Sequence, residues 1–119
     1  MSSGLSGVLA FLAVAVVVWW MFGRGGADPA EVEEAVRGGA PVLDVRTAGE
    51  FASGHVKGAV NIPVDELGVR VGELGAPGKL VVYCASGMRS ARATRILAAA
   101  GFEVLDAKRL ASFSADLRS

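Results

Sequence analysis

Cys84 is the only cysteine in the chain, and it opens the run Cys84-Ala-Ser-Gly-Met-Arg89. Leu80-Val-Val-Tyr83, the clearest strand in the sequence, precedes it, and a helical stretch from Ser90 to Ala100 follows the loop. The thiol therefore stands at the carboxyl edge of a strand, where open α/β sheets bind ligands. A helix N-terminus close by offers unpaired N–H groups and partial positive charge, which favour thiolate over thiol. Gly87 lets the loop curl so that successive N–H groups converge on the sulfur, and Arg89 adds a full positive charge. Such a setting suits a nucleophilic sulfur, or an anion held beside it. The bland alternative, a free cysteine serving as a small buried hydrophobe, accounts for many lone cysteines. It does not account for the glycine, the arginine and the helix start together.

The elements that must position this loop alternate in type. Asp28-Pro29 is an N-cap followed by proline at the first helical position, and Gly38-Gly39 stops that helix after Arg37. Val42–Val45 reads as a buried strand. Thr47-Ala-Gly-Glu50 matches a capping box and opens a short helix that Gly54 ends. Ala59–Ile62 reads as a second strand, closed by Pro63, and Asp65 to Leu74 as a helix despite Gly68 and Gly72. Ala76-Pro-Gly78 is a turn before the strand that leads to Cys84. In the helix after the loop, Ala93, Ile96, Leu97 and Ala100 fall on one apolar face, and Gly101 closes it. Phe102–Leu105 is a last strand, with a terminal helix expected from about Leu110. Strands alternating with helices predict an α/β domain, a parallel sheet with helices on both faces.

With 119 residues there is room for one small domain and an anchor. Mean hydropathy is +0.46, and the excess sits at one end. Leu5 to Phe22 carries no charge and is apolar except for Ser6 and Gly7. As a helix it would reach roughly 27 Å, enough to span a bilayer, with Trp19 and Trp20 near the interface. No basic residue precedes the run and its end is bulky, which argues against a cleaved signal peptide. The expected organisation is a single transmembrane helix over residues 1–23, a linker over 24–28 and a domain over 29–119. Arg24 and Arg37 follow the span, so the positive-inside rule places the C-terminal domain in the cytoplasm. One cysteine gives no internal disulfide and demands no oxidising compartment.

The chain has formal net charge zero, unevenly spread. Arg24–Gly78 holds five basic and nine acidic residues, while Lys79–Ser119 holds seven basic and three acidic. The basic half contains the cysteine, which favours a small anionic partner. No interleaving of aromatic and basic residues suggests nucleic acid. No Cys/His cluster suggests a metal, and nothing calls for a cofactor.

Three stretches carry a resemblance to a known family. They are Leu43-Asp-Val-Arg46 with Glu50-Phe51, Gly54-His-Val-Lys-Gly-Ala-Val-Asn-Ile-Pro63, and Val81-Val-Tyr-Cys-Ala-Ser-Gly-Met-Arg-Ser90. In this order and spacing the chain resembles the rhodanese family from about Asp28 to Phe113. The resemblance implies a doubly wound parallel sheet of the rhodanese type. It makes Cys84 the sulfur-accepting nucleophile, and Ala85, Ser86, Gly87, Met88 and Arg89 the rest of a six-residue loop that holds the substrate. The implied activity is sulfur transfer from a small anionic donor such as thiosulfate to a thiol or cyanide-like acceptor. Asp44 and Arg46 are expected to fix loops near the strand end, and Arg46 is spaced to pair with Glu50. His55 matches a structural position of the family more than a catalytic base. One departure stands out: Lys108-Arg109 occupy the place of a Gly-Gly turn and Phe113 that of a Trp.

Two other functions compete. Phosphatases and arsenate reductases of the related fold resemble Cys-x5-Arg, a loop one residue longer than this one. A persulfide relay or docking module held at the membrane for a protein partner would need the same cysteine without turnover of a small donor.

Overall fold

The structure, a computed structural model, describes residues 26–119. Helix α1 spans Pro29–Arg37, where the Asp28 carboxylate accepts from Ala30 N–H and proline takes the first helical position. Strand β1 spans Val42–Asp44, and helix α2 spans Ala48–Ala52. The capping box is formed: Thr47 Oγ1 accepts from Glu50 N–H, and the Glu50 carboxylate accepts from Thr47 N–H. Strand β2 spans Val60–Asn61, helix α3 Val64–Arg70, strand β3 Lys79–Cys84, helix α4 Met88–Ala99 and strand β4 Glu103–Arg109.

The four strands are all parallel, in the order β2-β1-β3-β4. Both faces are covered, as a parallel sheet requires. On one face Leu43, Val45, Leu80 and Val82 pack with Leu67 of α3 and with Ala93 and Leu97 of α4. On the other, Val42, Val81, Tyr83 and Leu105 pack with Val32 of α1 and with Phe113. Cys84 belongs to the α4 face and Tyr83 to the α1 face, as side-chain alternation dictates.

Several boundaries differ from those expected. The run Asp65–Leu74 is not one α-helix: α3 gives way after Arg70 to a 3₁₀ turn over Val71–Leu74, bracketed by Gly68 and Gly75. Helix α4 starts at Met88, two residues before the periodic run, because Gly87 at φ +98° supplies the entry turn. Strand β4 runs past Leu105 to Arg109 through a bulge opposite Val82/Tyr83. No terminal α-helix forms, only 3₁₀ turns at Leu110–Ser112 and Ala115–Leu117. Between them Phe113 is extended and buried, its ring edge-on to Tyr83 at 5.2 Å, so the chain is drawn down onto the sheet instead of coiling away.

Among the described residues no helix is long and apolar enough to cross a membrane. The expected span Leu5–Phe22 lies outside the described residues. At the end of the expected linker, Ala27 N–H donates to Asp106 O at 3.0 Å, so the chain enters the domain alongside β4.

Candidate active site

Cys84 is the last residue of β3 and is completely buried. Its Sγ accepts from Gly87 N–H at 3.0 Å and from Ser90 N–H at 3.3 Å. The second contact has a plain cause. The third residue of a helix usually gives its N–H to the N-cap side chain, but Gly87 is the N-cap of α4 and has none. The sulfur takes that place. Burial pushes the thiol pKa up, but the Ser90 side chain and the N–H groups of Ser90, Gly87 and Ser86 outweigh it and leave it below the ordinary value. Ser90 is itself buried, its Oγ donating to Gly87 O at 3.1 Å, which ties the loop to the first turn of α4. Ala85, Ser86 and Met88 form an exposed rim, Met88 at 81%.

Arg89 does not stand free toward the sulfur. Its Nη1 and Nη2 donate to the two Glu50 carboxylate oxygens at 2.6 and 3.0 Å, a bidentate fork between α4 and α2. Arg89 first and Thr47 N–H second hold the Glu50 carboxyl down to about 2. The loop arginine thus pairs with an acid 39 residues away in the chain.

The expected Arg46–Glu50 pair is absent for the same reason, and Arg46 turns inward. Its Nη2 lies 2.6 Å from Asp44 Oδ2 and 2.6 Å from Gly54 O, and its guanidinium packs over the Tyr83 ring at 5.5 Å. Asp44 is fully buried and Arg46 nearly so. Asn61 clamps the same corner by donating to Asp44 O and Arg46 O. The pair and its partners hold the carboxyl end of β1 beside the site. His55 stacks on Phe51 at 3.7 Å and its Nδ1 lies 2.8 Å from Phe51 O, so its ring is held by Phe51.

Lys108 and Arg109 reach the sheet edge next to Tyr83 and Cys84. Lys108 adopts φ +69°, the left-handed region that glycine would enter without strain. Its backbone N–H donates to Asp106 Oδ1 at 2.9 Å. Sequence reasoning placed Lys108-Arg109 where the family has a Gly-Gly turn and gave Glu50 and Ser90 no part at the site. Ser90 closes the third matched stretch and Glu50 belongs to the first, yet neither contact shows in local spacing. A cavity of about 610 Å³ between α1 and Lys79 opens at the other end of β3, and Cys84 does not line it.

A family model described as "Rhodanese-like domain" matches residues 28–109. The chain belongs to this family. Among curated proteins, this rhodanese-like chain is 40% identical over 68 residues to "Uncharacterized protein YqhL" of Bacillus subtilis, covering 55% of this chain and 54% of that one. It is 36% identical over 63 residues to "Thiosulfate sulfurtransferase PspE" of Escherichia coli, covering 50% and 60%. The chain thus spans little more than half the length of these two relatives. A solved structure titled "rhodanese with anions from E. coli" superposes with a TM-score of 0.59 at 31% identity, over 63% of this chain and 92% of that one. The parallel α/β fold and the sulfurtransferase kinship of the rhodanese-like domain agree.

Proposed function

We propose that this rhodanese-like domain is a sulfurtransferase that carries a sulfane sulfur as a persulfide on Cys84. The observation that carries the reading is the buried thiol at the carboxyl end of β3, met by the N–H groups of Gly87 and Ser90. With thiosulfate as donor, the Cys84 thiolate attacks the outer sulfur. The S–S bond to the sulfonate breaks, and sulfite leaves with the bonding electron pair. Cys84–S–S⁻ remains, its charge cradled by the loop N–H groups. A thiolate or cyanide acceptor then attacks the terminal sulfur, and the Cys84 thiolate departs. Ala85, Ser86, Gly87 and Met88 wall the loop around the donor, and Arg89 holds its shape through Glu50.

A phosphatase reading fits less well. Arg89 comes five residues after Cys84, one fewer than Cys-x5-Arg, and its guanidinium is turned to Glu50. A membrane-tethered relay, anchored through Leu5–Phe22 with the domain in the cytoplasm, would use the same first step and differ in taking its sulfur from a protein. Mass spectrometry of the purified chain after exposure to thiosulfate tests the reading. An added sulfur on Cys84, removed by cyanide with release of thiocyanate, is expected. Absence of any adduct, or brisk hydrolysis of an aryl phosphate, would overturn it.

A further inference from the structure

Resting on the sulfurtransferase reading, we propose that Lys108 recognises the negative charge of the sulfur donor, the task for which Glu50 has left Arg89 unavailable. Three observations meet at this residue. The first is position. Lys108 is paired with Tyr83 and Arg109 with Cys84, so both basic residues lie at the sheet edge where the sulfur sits.

The second is contact. A Cβ on Gly87 would lie 3.4 Å from Lys108 Cβ, 3.5 Å from Cγ and 3.7 Å from Cδ. The lysine stem therefore lies along the face of the glycine whose N–H donates to Cys84 Sγ. Further out, a Cβ on Gly26 would lie 2.6 Å from Lys108 Cε, so the stem reaches from one glycine to the other. The third is charge. Among the described residues no carboxylate pairs with the Lys108 ammonium or the Arg109 guanidinium. Asp106 is the nearby acid, and it accepts from the Lys108 backbone N–H.

The left-handed backbone at Lys108 sharpens the case. A lysine held there is strained where glycine would be at ease. The side chain offers one positive charge on an apolar stem packed against the sulfur's own hydrogen-bonding partner. Its natural ligand is the sulfonate end of a small anion whose outer, sulfane sulfur meets Cys84. Thiosulfate, a dianion, has that shape.

The test uses the purified full chain and the rate of Cys84 persulfide formation, read by mass spectrometry under single turnover. The donors are thiosulfate, a dianion, and methanethiosulfonate, a monoanion that presents the same reacting sulfur and releases a sulfinate. Lys108→Met keeps the stem and removes the charge. It should slow loading about tenfold with thiosulfate and only about threefold with methanethiosulfonate, since the Coulomb term scales with donor charge, and added salt should narrow both gaps. Lys108→Arg should stay near the parent rate. Lys108→Gly should lose thiosulfate loading like Lys108→Met while its Tm rises by about 4 °C as strain is relieved. Unchanged loading by Lys108→Met, or equal losses with both donors, would overturn the inference while leaving the sulfurtransferase reading in place. No persulfide from either donor in the parent chain would overturn both.

Discussion

Replacing Glu50 with glutamine isolates the charge that locks the active-site loop. Glutamine keeps an oxygen able to accept from Thr47 N–H, so the capping box survives and only the negative charge is lost. A carboxyl brought from 4.5 to about 2 would carry roughly 3 kcal/mol at face value. The Arg89 and Glu50 side chains are 33% and 36% exposed, however, and solvent screens the pair. A bidentate, partly exposed fork should then contribute about 1–2 kcal/mol. Urea denaturation followed by circular dichroism should show Glu50→Gln less stable by that amount at pH 7.

The pH dependence supplies the sharper check. The folded pKa is depressed, so the contribution is present above the unfolded value of 4.5 and is lost as pH falls through the folded value of about 2. The gap between parent and Glu50→Gln should be flat from pH 8 to about 5.5 and should close between pH 4.5 and 2. Other carboxylates titrate in both proteins and cancel in the difference. Arg89→Ala should lose a similar amount at pH 7, and the double variant should be less destabilised than the sum of the singles. Strict additivity, or a gap unchanged from pH 7 to pH 3, would refute the fork as a stabilising contact.

Cys84→Ser should abolish persulfide formation, because a hydroxyl cannot carry the sulfane sulfur, while its Tm moves little; any sulfur adduct on that variant would contradict the assignment of the nucleophile. Asp44→Ala strands the buried Arg46 guanidinium and should destabilise the domain by about 3–5 kcal/mol in urea, whereas a loss under 1 kcal/mol would mean the pair is dispensable. The intact chain should stay with membranes through an alkaline carbonate wash, and a soluble mature form beginning after residue 23 would favour a cleaved leader instead. Because Cys84 is buried, topology needs an exposed reporter: Ala52→Cys in the Cys84→Ser background should resist an impermeant maleimide in intact cells and react after lysis.

The parts of the fold that local chemistry determines were readable in the sequence. Asp28-Pro29, the Thr47/Glu50 box and the Leu80–Tyr83 run each specify their structure within a few residues, and each formed. The apolar face at Ala93, Ile96, Leu97 and Ala100 lies on the sheet as its spacing requires. Elements whose ends depend on distant partners were misread. The continuation of β4 past Leu105 needs the pairing of Lys108 with Tyr83 and Arg109 with Cys84; buried Leu105 and Ala107 alternate there with Asp106 and Lys108, a pattern too short to extend the strand by itself. The C-terminal turns follow from Phe113 seeking Tyr83, a contact between residues 30 apart in the chain.

The active-site charges rest on contacts that spacing along the chain does not show. Arg89 stands near Cys84 in sequence, and proximity suggested that its charge served the sulfur. A helix start two residues early puts Arg89 in the first turn of α4, within reach of Glu50 on α2. One ion pair then does two things. It braces the loop whose N–H groups meet the sulfur, and it cancels the charge that an anionic donor would have sought. Two basic residues without an ion pair, Lys108 and Arg109, fall at the end of β4, where Lys108 lies against Gly87. On the proposed reading, substitutions at Arg89 should report on stability and those at Lys108 on the charge of the donor.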